Sequence, residues 1–195
     1  MPSKVYICNL ALGRIGKPVI RSFDDSSAQA GYCRTFWDHL RDEVLAAHAW
    51  GFAEKSVALA DLGNPPPDWG YRYQLPVDCL RAIEVIPATR GMPPAPWKRI
   101  AAPDGASANV LTDQDQAWLR YTARIENPNA YTTEFAEAFA WRLAAEMALP
   151  LTKDKGLHQW AHEQYRVAMS KAEATDANQA QADAPADASW IQARS

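Results

Sequence analysis

Hydrophobic positions fall into three textures along the chain. From Val5 to Phe52 they recur at helical spacing, from Val57 to Ile125 they sit in short runs broken by prolines, and from Phe135 to Ala172 helical spacing returns. Val5, Ile7, Leu10, Ala11 and Ile15 predict a first helix over residues 4–13, with Ser3 placed to cap it and Gly13 and Gly16 placed to stop it. Ser26 with Gln29 forms a capping-box pattern for a second helix, whose stripe is Tyr32, Cys33, Phe36, Trp37, Leu40, Val44 and Leu45. Arg34, Asp38, Arg41 and Asp42 lie off that stripe, His48 falls in the last turn, and Trp50-Gly51-Phe52 ends the element.

Prolines 65–67 and 93, 94 and 96 exclude a continuing helix in the middle third. Extended runs lie between them at Trp69–Leu75, Leu80–Ile86 and Trp97–Ile100. The clearest alternation sets Leu119, Tyr121, Ala123 and Ile125 against Trp118, Arg120, Thr122 and Arg124. With Asn109-Val110-Leu111 before it and residues 112–116 as the turn, this predicts a hairpin.

A third helix is expected from Thr132 or Thr133 to Leu149, stopped by Pro150. Phe135, Phe139, Leu143 and Met147 form one row, and Ala138, Trp141, Ala145 and Ala148 leave few polar positions, so this helix should be buried. Thr152 is placed to cap a fourth helix through Leu157, Trp160, Ala161, Tyr165, Ala168 and Ala172, whose apolar row gives out past Thr175. Residues 176–189 hold no large apolar side chain and read as a frayed helix end and tail, after which Trp190-Ile191 makes a candidate peg for a partner's pocket. The expected fold is α+β, mainly α: a helical bundle body with an inserted small antiparallel β subdomain and an extended C-terminal tail. Its divisions are residues 1–55 for the first helices of the body, 56–126 for the β subdomain, 127–175 for the later helices and 176–195 for the tail.

Composition changes the picture by exclusion. At 195 residues, 48% hydrophobic and 22% charged, the chain has average globular usage, and no apolar run approaches the roughly 20 residues that span a bilayer. The N-terminus leads into no signal-type apolar block, so a cytosolic product is expected. Twenty Lys and Arg stand against 23 Asp and Glu, spread evenly, without the basic arm that phosphate neutralisation favours. Cys8, Cys33 and Cys79 are odd in number and widely spaced, as expected of reduced, buried thiols. Eight Trp in so short a chain favour packing against other subunits.

Candidate chemistry is sparse. Gly13-Arg14-Ile15-Gly16-Lys17-Pro18 departs from a phosphate loop, which needs Gly where Ala11 stands and Ser or Thr where Pro18 stands. His158 and His162 have helical spacing suited to one metal, but Gln159 replaces the general-base Glu of a metalloprotease and no third ligand stands out. Glu134 with Glu137 and Asp113 with Asp115 are the carboxylate pairs, explained by a helix N-terminus and a turn. No catalytic, cofactor or metal residue is assigned, and the chain is expected not to be an enzyme.

Several segments together resemble the tail tubular protein A family of short-tailed phages. They are residues 7–16 (ICNLALGRIG), 41–45 (RDEVL) leading to 50–53 (WGFA), 69–81 (WGYRYQLPVDCLR), and 135–146 (FAEAFAWRLAAE) running to Pro150-Leu151-Thr152. In order and spacing they cover residues 5–155, and the combination rather than any one segment carries the likeness. Trp50, Phe52, Trp69, Tyr71, Tyr73, Pro76 and Asp78 are its motif residues; Gly51 departs from it, where the family commonly has Asn.

The resemblance implies a structural virion protein, a head-to-tail adaptor that joins the portal to the tail nozzle and continues the DNA channel. Its implied partners are further copies in a homo-oligomeric ring, a dodecamer in this family, together with the portal protein, the nozzle (tail tubular protein B) and DNA passing without sequence-specific binding. No membrane is implied, and assembly would take place in the host cytoplasm. The resemblance further assigns the C-terminal segment to portal docking, with Ser189, Trp190, Ile191 and Arg194 as the docking residues. Alternatives are another phage neck or head-completion protein and, further off, a virion-associated glycan-degrading enzyme.

Overall fold

A computed structural model describes residues 2–89, 91–103 and 105–182. The fold is α+β and 47% helical. The helices are α1 (Lys4–Arg14), α2 (Ala28–Ala47), α3 (Thr133–Thr152) and α4 (Lys155–Ala182). The strands are β1 (Glu54–Ala58), β2 (Tyr71–Gln74), β3 (Cys79–Ile86), β4 (Trp97–Ala101), β5 (Ala108–Thr112) and β6 (Trp118–Ala123). The chain divides into two compact units, a helical one from residues 2–33 and 132 onward and a mixed one from residues 34–131. The helix α2 contributes its first residues to the former and the rest to the latter.

In the helical unit α3 packs against both α1 and α4. Phe135, Phe139, Leu143 and Met147 are fully buried, as is almost every alanine of α3, which lets the neighbouring helices approach closely. Each large side chain so buried stabilises the unit by about 1.5–3 kcal/mol. Ser3 caps α1 by accepting from the Tyr6 amide. At the other end Gly16, at φ 67°, closes a Schellman motif in which its amide donates to Gly13 O and that of Lys17 to Leu12 O. The stretch 13–18 is thus a helix stop.

Helix boundaries differ from expectation at four places, each for a local reason. Ser27, not Ser26, accepts from an amide of α2, that of Ala30. Pro150 lies inside α3 rather than beyond it, because in the last turn the missing N–H forfeits a single ladder bond; Thr152 Oγ1 donates to Ala148 O, and Lys153, left-handed at φ 59°, donates its amide to Leu149 O. Asp154, not Thr152, accepts from the Leu157 amide and caps α4. Helix α4 continues past Thr175 to Ala182, where alanine and glutamine sustain a helix without an apolar row.

The mixed unit holds two three-stranded antiparallel sheets, ordered β1-β6-β3 and β2-β5-β4. Their shared core is Leu59, Tyr73, Leu75, Val85, Val110, Leu119 and Tyr121 with smaller residues around them. In β6 Leu119, Tyr121 and Ala123 are buried and Trp118 is exposed, as the alternation predicts, but Thr122 on the opposite face is fully buried too. The expected hairpin is absent: β5 and β6 are consecutive but lie in different sheets. Each is a central strand whose backbone groups are satisfied on both edges by strands from elsewhere in the chain, leaving neither edge for the other. The turn between them is tied outward, since the Gly70 amide donates to Asp113 Oδ1 and the Gln114 side chain to Ile86 O. Strand β1 was not expected, because four of its five residues are exposed and carry no apolar alternation.

Candidate functional site

The seven motif residues all lie in the mixed unit, where they do structural work. Trp50 is 1% exposed at the junction of α2 and β1, and its indole N–H donates to Val44 O at 3.0 Å. His48 meets it edge-on at 4.8 Å, and Phe52 links it to Tyr131 through ring contacts of 6.1 Å. Gly51 opens the short 3-10 turn Gly51–Ala53 that carries the chain from Trp50 into β1. Trp69 ends the proline run, its amide donating to Pro66 O. Tyr71 and Tyr73 stack at 6.0 Å, and Tyr73 donates its hydroxyl to Gln114 O.

Pro76 and Asp78 form the link from β2 to β3. The Cys79 amide donates to Pro76 O, while the Asp78 carboxylate accepts from Tyr121 Oη at 2.9 Å and from Lys55 Nζ at 2.7 Å. Its carbonyl accepts from the Arg124 amide, so one residue ties β1, β6 and the link together. Burial by itself would raise the Asp78 carboxyl, but the hydrogen bonds from Lys55 and Tyr121 outweigh it and hold the group below its ordinary 3.8. A depressed carboxyl stabilises the fold above its unfolded value and loses that contribution as pH falls through the folded one. Stability should therefore hold from neutral pH down to about pH 5 and fall below about pH 4, and Asp78→Asn should flatten that acid limb in thermal scans across pH. At neutral pH Tyr121→Phe should cost about 1.5–3 kcal/mol, the usual worth of a hydrogen bond to a charged group.

A second ionic chain runs through α2. Arg41, 5% exposed, donates to both Asp38 and Asp42, and Asp42 also accepts from Arg124 Nε at 2.8 Å. Every member is paired, so the chain fixes α2 to the end of β6 rather than offering a free charge.

The helical unit presents the candidate interaction face. On α4 Trp160, Gln164, Val167 and Lys171 follow one another at helical spacing, and Trp160 and Val167 are 47% and 58% exposed. From α3 Trp141 meets Trp160 edge-on at 5.1 Å, and the Arg14 guanidinium lies 4.0 Å over the Trp141 indole while pairing with Glu137. A cavity of about 310 Å³ opens here between Glu134, Glu137, Trp141, Gln164 and Val167. Tyr6 on α1 is exposed as well. Trp160 and Val167, on one face of α4, are the exposed apolar pair this unit offers as a candidate for interaction.

The candidate chemistry resolves into local structure. His158 Nδ1 lies 2.8 Å from Ala145 O, and His162 Nε2 lies 3.9 Å from Glu146, itself held by Arg142. Among the described residues no group of three or more His, Cys, Asp or Glu is placed to hold a metal ion. Asp113 and Asp115 serve their turn, and Glu137 pairs with Arg14. The three cysteines are buried and in no disulfide; the Cys33 thiol donates to Met147 Sδ at 3.8 Å, and burial lifts Cys79 to about 11. Ser189, Trp190, Ile191 and Arg194 lie outside the described residues. No helix among the described residues is long and apolar enough to cross a membrane. Neither a protein-family model nor a curated protein sequence matches this chain.

Proposed function

We propose that this protein is a structural virion component, a head-to-tail adaptor whose copies form a ring between the portal and the tail nozzle and continue the DNA channel. The observation that carries this reading is the ordered likeness of residues 5–155 to the tail tubular protein A family. The matching segments also supply much of what packs the two units, including Ile7, Leu12, Trp50, Tyr73, Phe139 and Leu143.

The chemistry of the task agrees with the chain's composition. A cyclic ring joins each subunit to its neighbours through two different surfaces, and the exposed Trp160 and Val167 offer apolar area for one of them. DNA must slide through the lumen, and a channel with a large basic excess would hold it by counterion release. Net charge of −3, evenly spread, suits passage. The twelve-fold count rests on the family resemblance.

Trp190 and Ile191, with Ser189 and Arg194, are the residues proposed to dock on the portal. Deleting residues 185–195, or Trp190→Ala, should weaken portal binding at least tenfold while leaving the melting temperature nearly unchanged, as read by titration calorimetry and thermal unfolding. Unchanged affinity in the deletion would remove the tail from the interface. Cryo-electron microscopy of the virion tests the position itself. The adaptor reading requires a ring of this chain directly between portal and nozzle, whereas a ring elsewhere in the neck assigns it to head completion.

A further inference from the structure

The sheet β2-β5-β4 has two faces of different character. Tyr71, Tyr73, Val110 and Trp97 point into or against the core. The opposite face carries Arg72 and Gln74 on β2, Asn109 and Leu111 on β5, and Lys98 and Ile100 on β4, set by the registers Arg72 to Leu111, Gln74 to Asn109 and Lys98 to Leu111. Beside β2 runs the segment Ala60–Leu62, whose Ala60 carbonyl and Leu62 amide bond to Gln74 and Arg72. The loop leaving β4 is held to its return by the Ala102 amide on Ser107 O. These walls border an open cleft of about 340 Å³ lined by Leu62, Arg72, Gln74, Ala102, Pro103 and Asn109, with Ser107 at its edge.

Two nitrogens among those lining side chains are buried without a hydrogen-bond partner, Arg72 Nε and Asn109 Nδ2, and Asn109 is 1% exposed. Both belong to side chains on the face of the sheet turned away from the core. Unmet donors in such a place are costly, and the cost is removed by an occupant bringing acceptor oxygens. Arg72 is the one charged side chain among the described lining residues. These two donors, one of them on a guanidinium, favour an occupant with acceptor oxygens and negative charge.

The geometry narrows the anion. In a guanidinium, Nε and one terminal nitrogen form an edge with two parallel N–H bonds, matched to the two oxygens of a carboxylate. The Asn109 amide adds a donor from the next strand, and the exposed Gln74 amide stands opposite it in register. Leu62, Ala102 and Pro103 give the remaining wall an apolar surface suited to an aliphatic stem, and the volume lies at the small end of ligand pockets. We propose that this cleft is a binding site for a small organic carboxylate, in which Arg72 and Asn109 donate to the carboxylate and Leu62 and Pro103 hold its stem.

The test is a titration of the full-length, isotope-labelled chain followed by NMR, with sodium butyrate as probe, sodium phosphate as a second arm and sodium chloride at matched ionic strength as reference. The expected result is saturable movement of the Arg72 Nε–H and Asn109 side-chain amide signals with butyrate and none with chloride. Arg72→Gln should weaken that binding at least tenfold while the spectrum remains that of a folded chain. Asn109→Ala should weaken it comparably and raise the melting temperature, because it deletes a buried amide nitrogen that has no protein partner; a merely structural Asn109 would lower it. Butyrate shifts no larger than those of chloride, or undiminished in Arg72→Gln, would overturn the proposal, and saturation by phosphate alone would overturn the carboxylate assignment. None of these outcomes depends on the portal or on ring formation, so this site and the adaptor reading stand or fall separately.

Discussion

Trp50→Ala should cost about 3–5 kcal/mol, the range for truncating a buried aromatic side chain. The residue is 1% exposed, and its removal deletes contacts to His48 and Phe52 and leaves the Val44 carbonyl without its indole donor. Against a typical total of about 5–15 kcal/mol, such a loss takes a large share of the chain's stability. Thermal unfolding should show a fall of roughly 6–20 °C, given about 2–4 °C per kcal/mol for chains of this size. Trp50→Phe separates the two contributions: it keeps most of the buried area and should lose only about 1–3 kcal/mol for the unmet carbonyl. A melting temperature within 2 °C of the parent for Trp50→Ala, judged against that roughly 6 °C minimum, would mean that Trp50 does not anchor the junction of α2 and β1.

The second large effect is expected in association rather than folding. Trp160→Glu combined with Val167→Glu puts two carboxylates on an apolar face that already carries Glu134 and Glu137 at its cavity. Both positions are about half exposed, and Trp160 gives up its edge contact with Trp141, so the folded chain should lose about 1–3 kcal/mol and remain folded. If the face is buried between subunits, the same carboxylates must be desolvated there without partners, and assembly should fall by at least 100-fold, about 2.7 kcal/mol. Light scattering of portal-mixed samples reads that loss directly. Assembly at the parent level would move the ring contact to another surface.

These two sites also illustrate what the sequence makes legible. The helices could be placed because their apolar rows repeat at the period of the element, as Phe135, Phe139 and Leu143 do, and because Ser3 and Thr132 stand where caps are needed. Their ends were harder, since a cap can shift by one residue at little cost between neighbouring polar candidates such as Ser26 and Ser27.

The β region resisted for a different reason. Alternation in residues 118–123 gives a strand and its buried face but not its partners, and pairing with β1 and β3 is a long-range choice. Strand β1, with Glu54, Lys55 and Ser56 turned to solvent, carried no apolar signal at all. Of the motif residues, Asp78 enters the sequence reading through the resemblance alone, because its role depends on Lys55 and Tyr121, remote in sequence. The cleft beside Arg72 left no sequence signature, because an arginine in an alternating strand looks like any solvated position. What distinguishes it is the burial of Asn109 on the adjacent strand. Exposure of Trp160 was likewise invisible while it counted as a member of the apolar row of α4, and Val167 lies outside that row.

The proposal that this chain joins a portal as a ring is tested most directly by sedimentation velocity of the purified protein, alone and mixed with a candidate portal protein. The account predicts a portal-dependent jump to a single large complex, with assembly templated by the portal. A protein that sediments as a monomer in both samples, at concentrations where the tail deletion and the Trp160→Glu, Val167→Glu variant behave no differently, would contradict it.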